Sequence, residues 1–197
     1  MKEQNYAINI CLIPDIKLSE ICNALNILDT DSRYNLNSRT YIPHCTLVMK
    51  YISKKDLENI IAEEEKLELQ KIETSVWNYY ANSFWENDIW TWIYLEKNPS
   101  IFSLQQELCE ITKKYKNTER TKDYYAIDDF FEEHQIPLWT EEDFLSNKHI
   151  HITLGKADMK HKFSAEILPQ KCMFEKIVIG HMWNYGSVRE ILFEKSL

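Results

Sequence analysis

The sequence predicts an α/β protein of the α+β type in which two halves repeat one order of elements. Three observations carry this expectation. Runs rich in β-branched and aromatic residues alternate with stretches whose apolar residues recur at helical spacing. The order strand, helix, loop, strand occurs in each half, with no obvious identity between the halves beyond one motif. That motif is the third observation: Pro43-His44-Cys45-Thr46-Leu47 is matched, 107 positions later, by His151-Ile152-Thr153-Leu154 inside Lys148-His149-Ile150-His151-Ile152-Thr153-Leu154-Gly155.

Tyr6 to Ile13 form a β-rich run closed by Pro14-Asp15, and Leu18, Ile21, Leu25 and Leu28 then predict a helix over about 17–28. A polar loop from Asp29 to Arg39 leads into the first motif strand. Ser53-Lys54-Lys55-Asp56 has the form of a helix start, with Leu57, Ile60, Ile61 and Glu64 behind it. The run Glu63-Glu64-Glu65 reads as the solvated face of that helix. Ile72 to Tyr80 and Asp88 to Leu95 read as two strands joined by a polar turn. Asn98-Pro99-Ser100 starts a helix striped by Ile101, Leu104, Leu108, Ile111 and Tyr115. From Lys116 to Asn147 an acidic, aromatic segment reads as a lid or loop insertion, with helical turns near 127–133 and 141–145. After the second motif, 174–181 and 188–193 make a final hairpin turning at Asn184-Tyr185-Gly186-Ser187.

Composition narrows the partners. With 44% hydrophobic residues and three glycines in 197 residues, the chain folds into one large domain or two small lobes sharing a core. A net charge of −8 argues against tight binding to a long duplex, which needs a basic stripe. A small nucleotide or a nucleic-acid end remains allowed, since Lys50, Lys148 and Lys156 beside the motifs can form a local positive pocket. The cysteines at 11, 22, 45, 109 and 172 are odd in number and lack CxxC spacing, so they read as reduced thiols. No targeting or membrane-spanning pattern is evident, and the expected location is the cytoplasm.

In a strand, residues i and i+2 share a face. His151 and Thr153 therefore point together while Ile150, Ile152 and Leu154 enter the core; His44 and Thr46 pair likewise, with Cys45 and Leu47 opposite. Lys50 returns to the His44 face if that strand continues regularly. About 0.3 His-x-Thr matches are expected by chance from the His and Thr counts, so two copies, both followed by Leu, carry weight. An imidazole can accept or donate a proton near neutral pH, which suits the two ends of an in-line displacement at phosphorus. A Thr hydroxyl beside it can hold a phosphate oxygen. His149 shares the face of His151 and competes for its role, but no x-Thr follows it. Tyr41, Trp183 and Tyr185 flank the first motif or the last turn and are candidates to stack a base, with packing as their ordinary alternative. His134, His161 and His181 have no partner at motif spacing, and Asp128-Asp129 with Glu132-Glu133 read as a solvated face with no zinc-type Cys/His cluster beside them.

In its paired motifs, strand order and closing hairpin the chain resembles the 2H phosphoesterase superfamily of LigT-like 2'-5' RNA ligases and cyclic nucleotide phosphodiesterases. The resemblance implies residues 1–197 as a single domain of two pseudo-symmetric lobes, each an antiparallel sheet with outer helices, meeting at a central cleft. It implies that His44 and His151 act as general acid and base, that Thr46 and Thr153 hold the phosphate, and that no metal or cofactor is needed. The implied reaction opens a 2',3'-cyclic phosphate or a related cyclic or 2'-5' phosphodiester. Beside these, Tyr41, Lys50, His149, Lys156, Trp183 and Tyr185 are the candidate substrate contacts offered by the residues themselves, and the expected partner is a small nucleotide, an oligonucleotide or an RNA end bound by a monomer. End-joining of RNA through a 2'-5' bond, or nucleotide sensing without turnover, are the alternatives. The segment 116–147 is longer than the turn that usually precedes the second motif in that family, which points to a substrate preference peculiar to this chain.

Overall fold

The computed structural model describes residues 4–29, 42–83, 89–116, 122–126, 141–147, 149–157, 167–183 and 186–197. The first half runs β1 (Asn5–Pro14), α1 (Ile16–Asp29), β2 (Cys45–Ser53) and α2 (Lys54–Glu64). The second runs β3 (Ile72–Ser83), β4 (Ile89–Glu96), α3 (Pro99–Thr112), α4 (Glu141–Ser146), β5 (His149–Ala157), β6 (Lys171–Met182) and β7 (Val188–Ser196). A 3-10 turn at Lys122–Tyr124 and α4 are the described helical pieces of the segment expected to be an insertion. The turn expected near 127–133 lies outside the described residues.

The helices start where side chains satisfy their first free N–H groups. Asp15 Oδ1 accepts from Leu18 N at 2.9 Å, and its Oδ2 accepts from Met173 N at 2.8 Å, so one carboxylate both starts α1 and ties it to β6. Ser53 caps α2, accepting from Asp56 N at 3.2 Å. Asn98 caps α3, accepting from Ile101 N at 3.0 Å, with Pro99 in the first turn. Lys97 donates to the carbonyls of Phe144, Leu145 and Asn147 and so holds the end of α4, immediately before the second motif strand.

The strands pair in the order β1-β2-β5-β4-β3-β6-β7, with β1 also paired to β6. The first six strands thus close a ring, and β7 hangs on β6. All of the pairings are antiparallel. The two halves meet at a single described bridge, Cys45 opposite Ile152, and at β6, which pairs with β3 through Lys171–Phe174 and with β1 beyond it. One face is covered by helices. Ile8, Ile10 and Leu12 of β1, Leu47 and Ile52 of β2, and Ile150, Ile152 and Leu154 of β5 pack there with Leu18, Leu25, Ile60, Ile101 and Leu108. The helices are exchanged between halves, since α1 packs on β5 and α3 on β2.

Two expectations are corrected here. Glu64 is not on a solvated face: it is fully buried, because helical period aligns it with Leu57 and Ile60. Lys50 does not share the face of His44. The β1–β2 register pairs Ile10 with Val48 and Cys11 with Thr46, skipping Leu47 as a bulge, and one extra residue inverts the alternation beyond it. Lys50 therefore sits opposite Ile8 on the helix-covered side, nearly buried and ion-paired to Glu141 of α4.

Candidate active site

The bridge Cys45↔Ile152 sets the relation between the motifs. One residue to either side, antiparallel register places His44 opposite Thr153 and Thr46 opposite His151, all on the face away from the helices. The two histidines are then diagonal neighbours, roughly 7–8 Å apart by strand geometry and somewhat closer between Cβ atoms. That span admits a phosphate hydrogen-bonded on both sides.

The bulge recurs. In the β4–β5 ladder Thr91 pairs with Gly155 and Trp92 with Thr153, so Leu154 is skipped just as Leu47 is. Both bulges follow the Thr of a His-x-Thr-Leu motif, so the sequence repeat is also a repeat of backbone irregularity. Gly155, with φ 130°, carries the second one in a conformation that L side chains rarely adopt. A bulged residue loses its ladder partner, and its buried carbonyl needs another donor. Gln105 Nε2 on α3 donates to Leu47 O at 2.8 Å, and Asn26 Nδ2 on α1 donates to Leu154 O. Each bulge is thus held by an amide from the helix of the other half. Gln105→Leu is expected to lower stability by about 1–3 kcal/mol by stranding a buried carbonyl; an unchanged urea midpoint would mean that this amide does not hold the bulge.

His44 is 9% exposed. Its Nδ1 lies 2.7 Å from Ile42 O, a pure acceptor, so the neutral ring carries its proton on Nδ1 and offers the lone pair of Nε2. Burial lowers its pKa, opposed by the Ile42 and Gly186 carbonyls. Burial also lowers the pKa of His151, to about 4, and the neighbouring His44 charge adds to this. Trp92 and Tyr94 meet the His151 ring edge-on, with centroids 5.6 and 6.1 Å away.

Three residues here escaped the sequence reading. Asn9, fully buried on β1, places its Nδ2 2.9 Å from Thr46 Oγ1, 3.2 Å from His44 Nε2 and 2.8 Å from Gly186 O. Its signal was a lone amide inside an apolar strand. Trp92 and Tyr94 pair with Thr153 and His151 across the ladder, and their signal was the period-two spacing of aromatic residues in β4.

The remaining candidates divide. Trp183 is 1% exposed, packed in the main core with the Arg189 guanidinium 3.7 Å from its ring centroid, so it is not a stacking platform. Lys50 is withdrawn from the pocket by the bulge. Backbone register sets Lys156 opposite Trp90 and His149 opposite Glu96, and the side chains of Lys156 and His149 are outside the described set. Tyr41, Tyr185, Lys148, His134, His161 and the acidic pairs at 128–129 and 132–133 also lie outside the described residues. Among the described residues no helix is long and apolar enough to cross a membrane.

The ring of antiparallel strands with exchanged helices matches the LigT-like fold. E. coli LigT complexed with 3'-AMP superposes with a TM-score of 0.58 over 98% of both chains at 10% identity. Its apo form gives 0.57 at 8% identity with the same coverage, and a crystal structure of a phosphoesterase gives 0.54 at 10% identity, covering 100% of this chain and 99% of that one. No family model matches the sequence, and no curated protein does. The likeness is therefore one of fold.

Proposed function

We propose that the chain is a phosphodiesterase that opens a 2',3'-cyclic phosphate, or a related cyclic or 2'-5'-linked nucleotide, by acid/base catalysis between His44 and His151. The diagonal placement of the two imidazoles, each opposite a Thr of the other motif, is the observation that carries the reading. One imidazole takes the proton of the attacking water while the other protonates the leaving oxygen, and Thr46 and Thr153 donate to the non-bridging oxygens. A small nucleotide is the fitting substrate: LigT, of the same fold, has been crystallised with 3'-AMP, ATP and NADP+. End-joining uses the same two groups in reverse, by microscopic reversibility.

The test is a panel of 2',3'-cyclic, 3',5'-cyclic and 2'-5'-linked substrates incubated in excess EDTA. Turnover of at least one class is expected to persist. Catalysis needs one ring protonated and the other neutral, and both pKa values lie below 6.5, so kcat/KM should peak on the acid side of pH 6.5. Loss of turnover in EDTA with rescue by zinc or manganese would remove the two-histidine mechanism, and tight binding without consumption would make the chain a sensor.

A further inference from the structure

Asn9 is a buried amide with more acceptors than hydrogens. Its Nδ2 carries two hydrogens and faces Gly186 O, Thr46 Oγ1 and His44 Nε2, while its Oδ1 is buried with no partner among the described residues. The orientation of the amide is forced, because turning it over would press Oδ1 against the Gly186 carbonyl. Gly186 supports this from its own side, since its φ of 77° belongs to the left-handed region open to glycine. One hydrogen therefore stays on Gly186 O, and the other is shared between Thr46 and His44.

Resting on the phosphodiesterase reading, we propose that Asn9 is a positioning residue that sets the direction of both hydrogen bonds the first motif offers to substrate. Because Thr46 Oγ1 accepts from Asn9, its own hydrogen is left to point at a phosphate oxygen. Because the Asn9 hydrogen shares the single lone pair of His44 Nε2, the ring is held neutral, and Nε2 takes a proton from substrate only as that hydrogen leaves it for Thr46. When Nε2 is protonated it stops accepting, the shared hydrogen passes wholly to Thr46, and Thr46 becomes a firmer donor as negative charge develops on the phosphoryl group. Proton uptake at one residue is thus coupled to phosphate binding at the next but one. Among the described residues, Cys11 of β1 pairs with Thr46 on this face and the charge of His44 couples to His151 on β5, whereas Lys50 of β2 and His181 of β6 lie opposite or beside Ile8 on the other face and His181 meets Glu190 of β7; all are left intact in the variants below.

The experiment compares wild type, Asn9→Ala and Asn9→Asp by histidine-selective 15N NMR titration and by kcat/KM on the panel above. In Asn9→Ala the His44 titration should rise, for loss of a donor to the neutral form, with kcat/KM falling about 10- to 100-fold. In Asn9→Asp, nearly the same shape, the introduced carboxylate should accept from Nε2–H while Ile42 O keeps Nδ1–H. His44 should then persist as imidazolium at neutral pH, and kcat/KM should fall further than in Asn9→Ala. Asn9→Asp turns one carboxylate oxygen onto Gly186 O, so Asn9→Ser, whose short hydroxyl can donate there but does not reach Nε2 and should raise the His44 titration as Asn9→Ala does, keeps the test open if either fails to fold. A His44 titration unmoved in the folded variants, whatever their rates, would reduce Asn9 to a packing residue and overturn the proposal. The predicted His44 shifts in a protein that turns over no panel substrate would uphold the role of Asn9 while removing the phosphodiesterase reading.

Discussion

Replacing His44 or His151 with alanine is expected to lower kcat/KM by about 10²- to 10⁴-fold, the usual worth of a positioned general acid or base. Thr46→Ala or Thr153→Ala removes a neutral donor to the phosphate, and a milder loss of about 10- to 10²-fold is expected. All four side chains lie on the sheet face away from the helical core, so circular dichroism and thermal melts should stay close to wild type. His149→Ala should cost less than His151→Ala, because only His151 has a Thr two residues on and only His151 sits opposite Thr46 by register. A fully active His151→Ala beside a dead His149→Ala would show that the second motif is read in the wrong register. Wild-type rates in both His44→Ala and Thr46→Ala would end the two-histidine mechanism.

Glu64 is expected to make the protein lose stability as the pH rises from about 5 to 8. Burial raises its pKa to about 8, partly offset by the charge of Lys195, and neither carboxylate oxygen has a hydrogen-bond partner among the described residues. Between the ordinary carboxyl range and that value, the folded state keeps a proton that the unfolded chain has released. Raising the pH then favours the unfolded chain, by about 1.4 kcal/mol per unit. Urea unfolding of wild type at pH 5, 6, 7 and 8 should show this decline, and Glu64→Gln should flatten it while matching wild type most closely at pH 5. Equal slopes in the two proteins would mean that Glu64 is ionised and solvated in the folded state. A buried, unpaired carboxyl is an expensive group to keep in a helix that offers Leu57 and Ile60 on the same face.

Much of the architecture is local and was therefore legible. The Ser53 and Asn98 caps, the helical stripe of α3 and the alternation in both motif strands depend on neighbours within a few residues. The pairing of His44 with Thr46, and of His151 with Thr153, needs only the two-residue period of a strand. Glu64 was legible too, by the same helical period that placed Leu57 and Ile60, but the acidic run around it suggested solvent.

What the sequence determined by itself is the set of elements and the two His-x-Thr units, because helix and strand periods act over one turn or one residue pair. What only the tertiary structure decided is how the units meet and what surrounds them. The bulges at Leu47 and Leu154 exist because a partner strand passes over one residue, and that slip carries Lys50 to the far face where parity alone had kept it with His44. Asn9, Thr46 and Gly186 are 37 and 177 positions apart along the chain from Asn9, and Gln105 reaches Leu47 across 58. Periodicity cannot foresee such contacts, since they arise from the order in which strands are laid side by side, and the same order seals Trp183 beneath Arg189 instead of leaving it to a ligand.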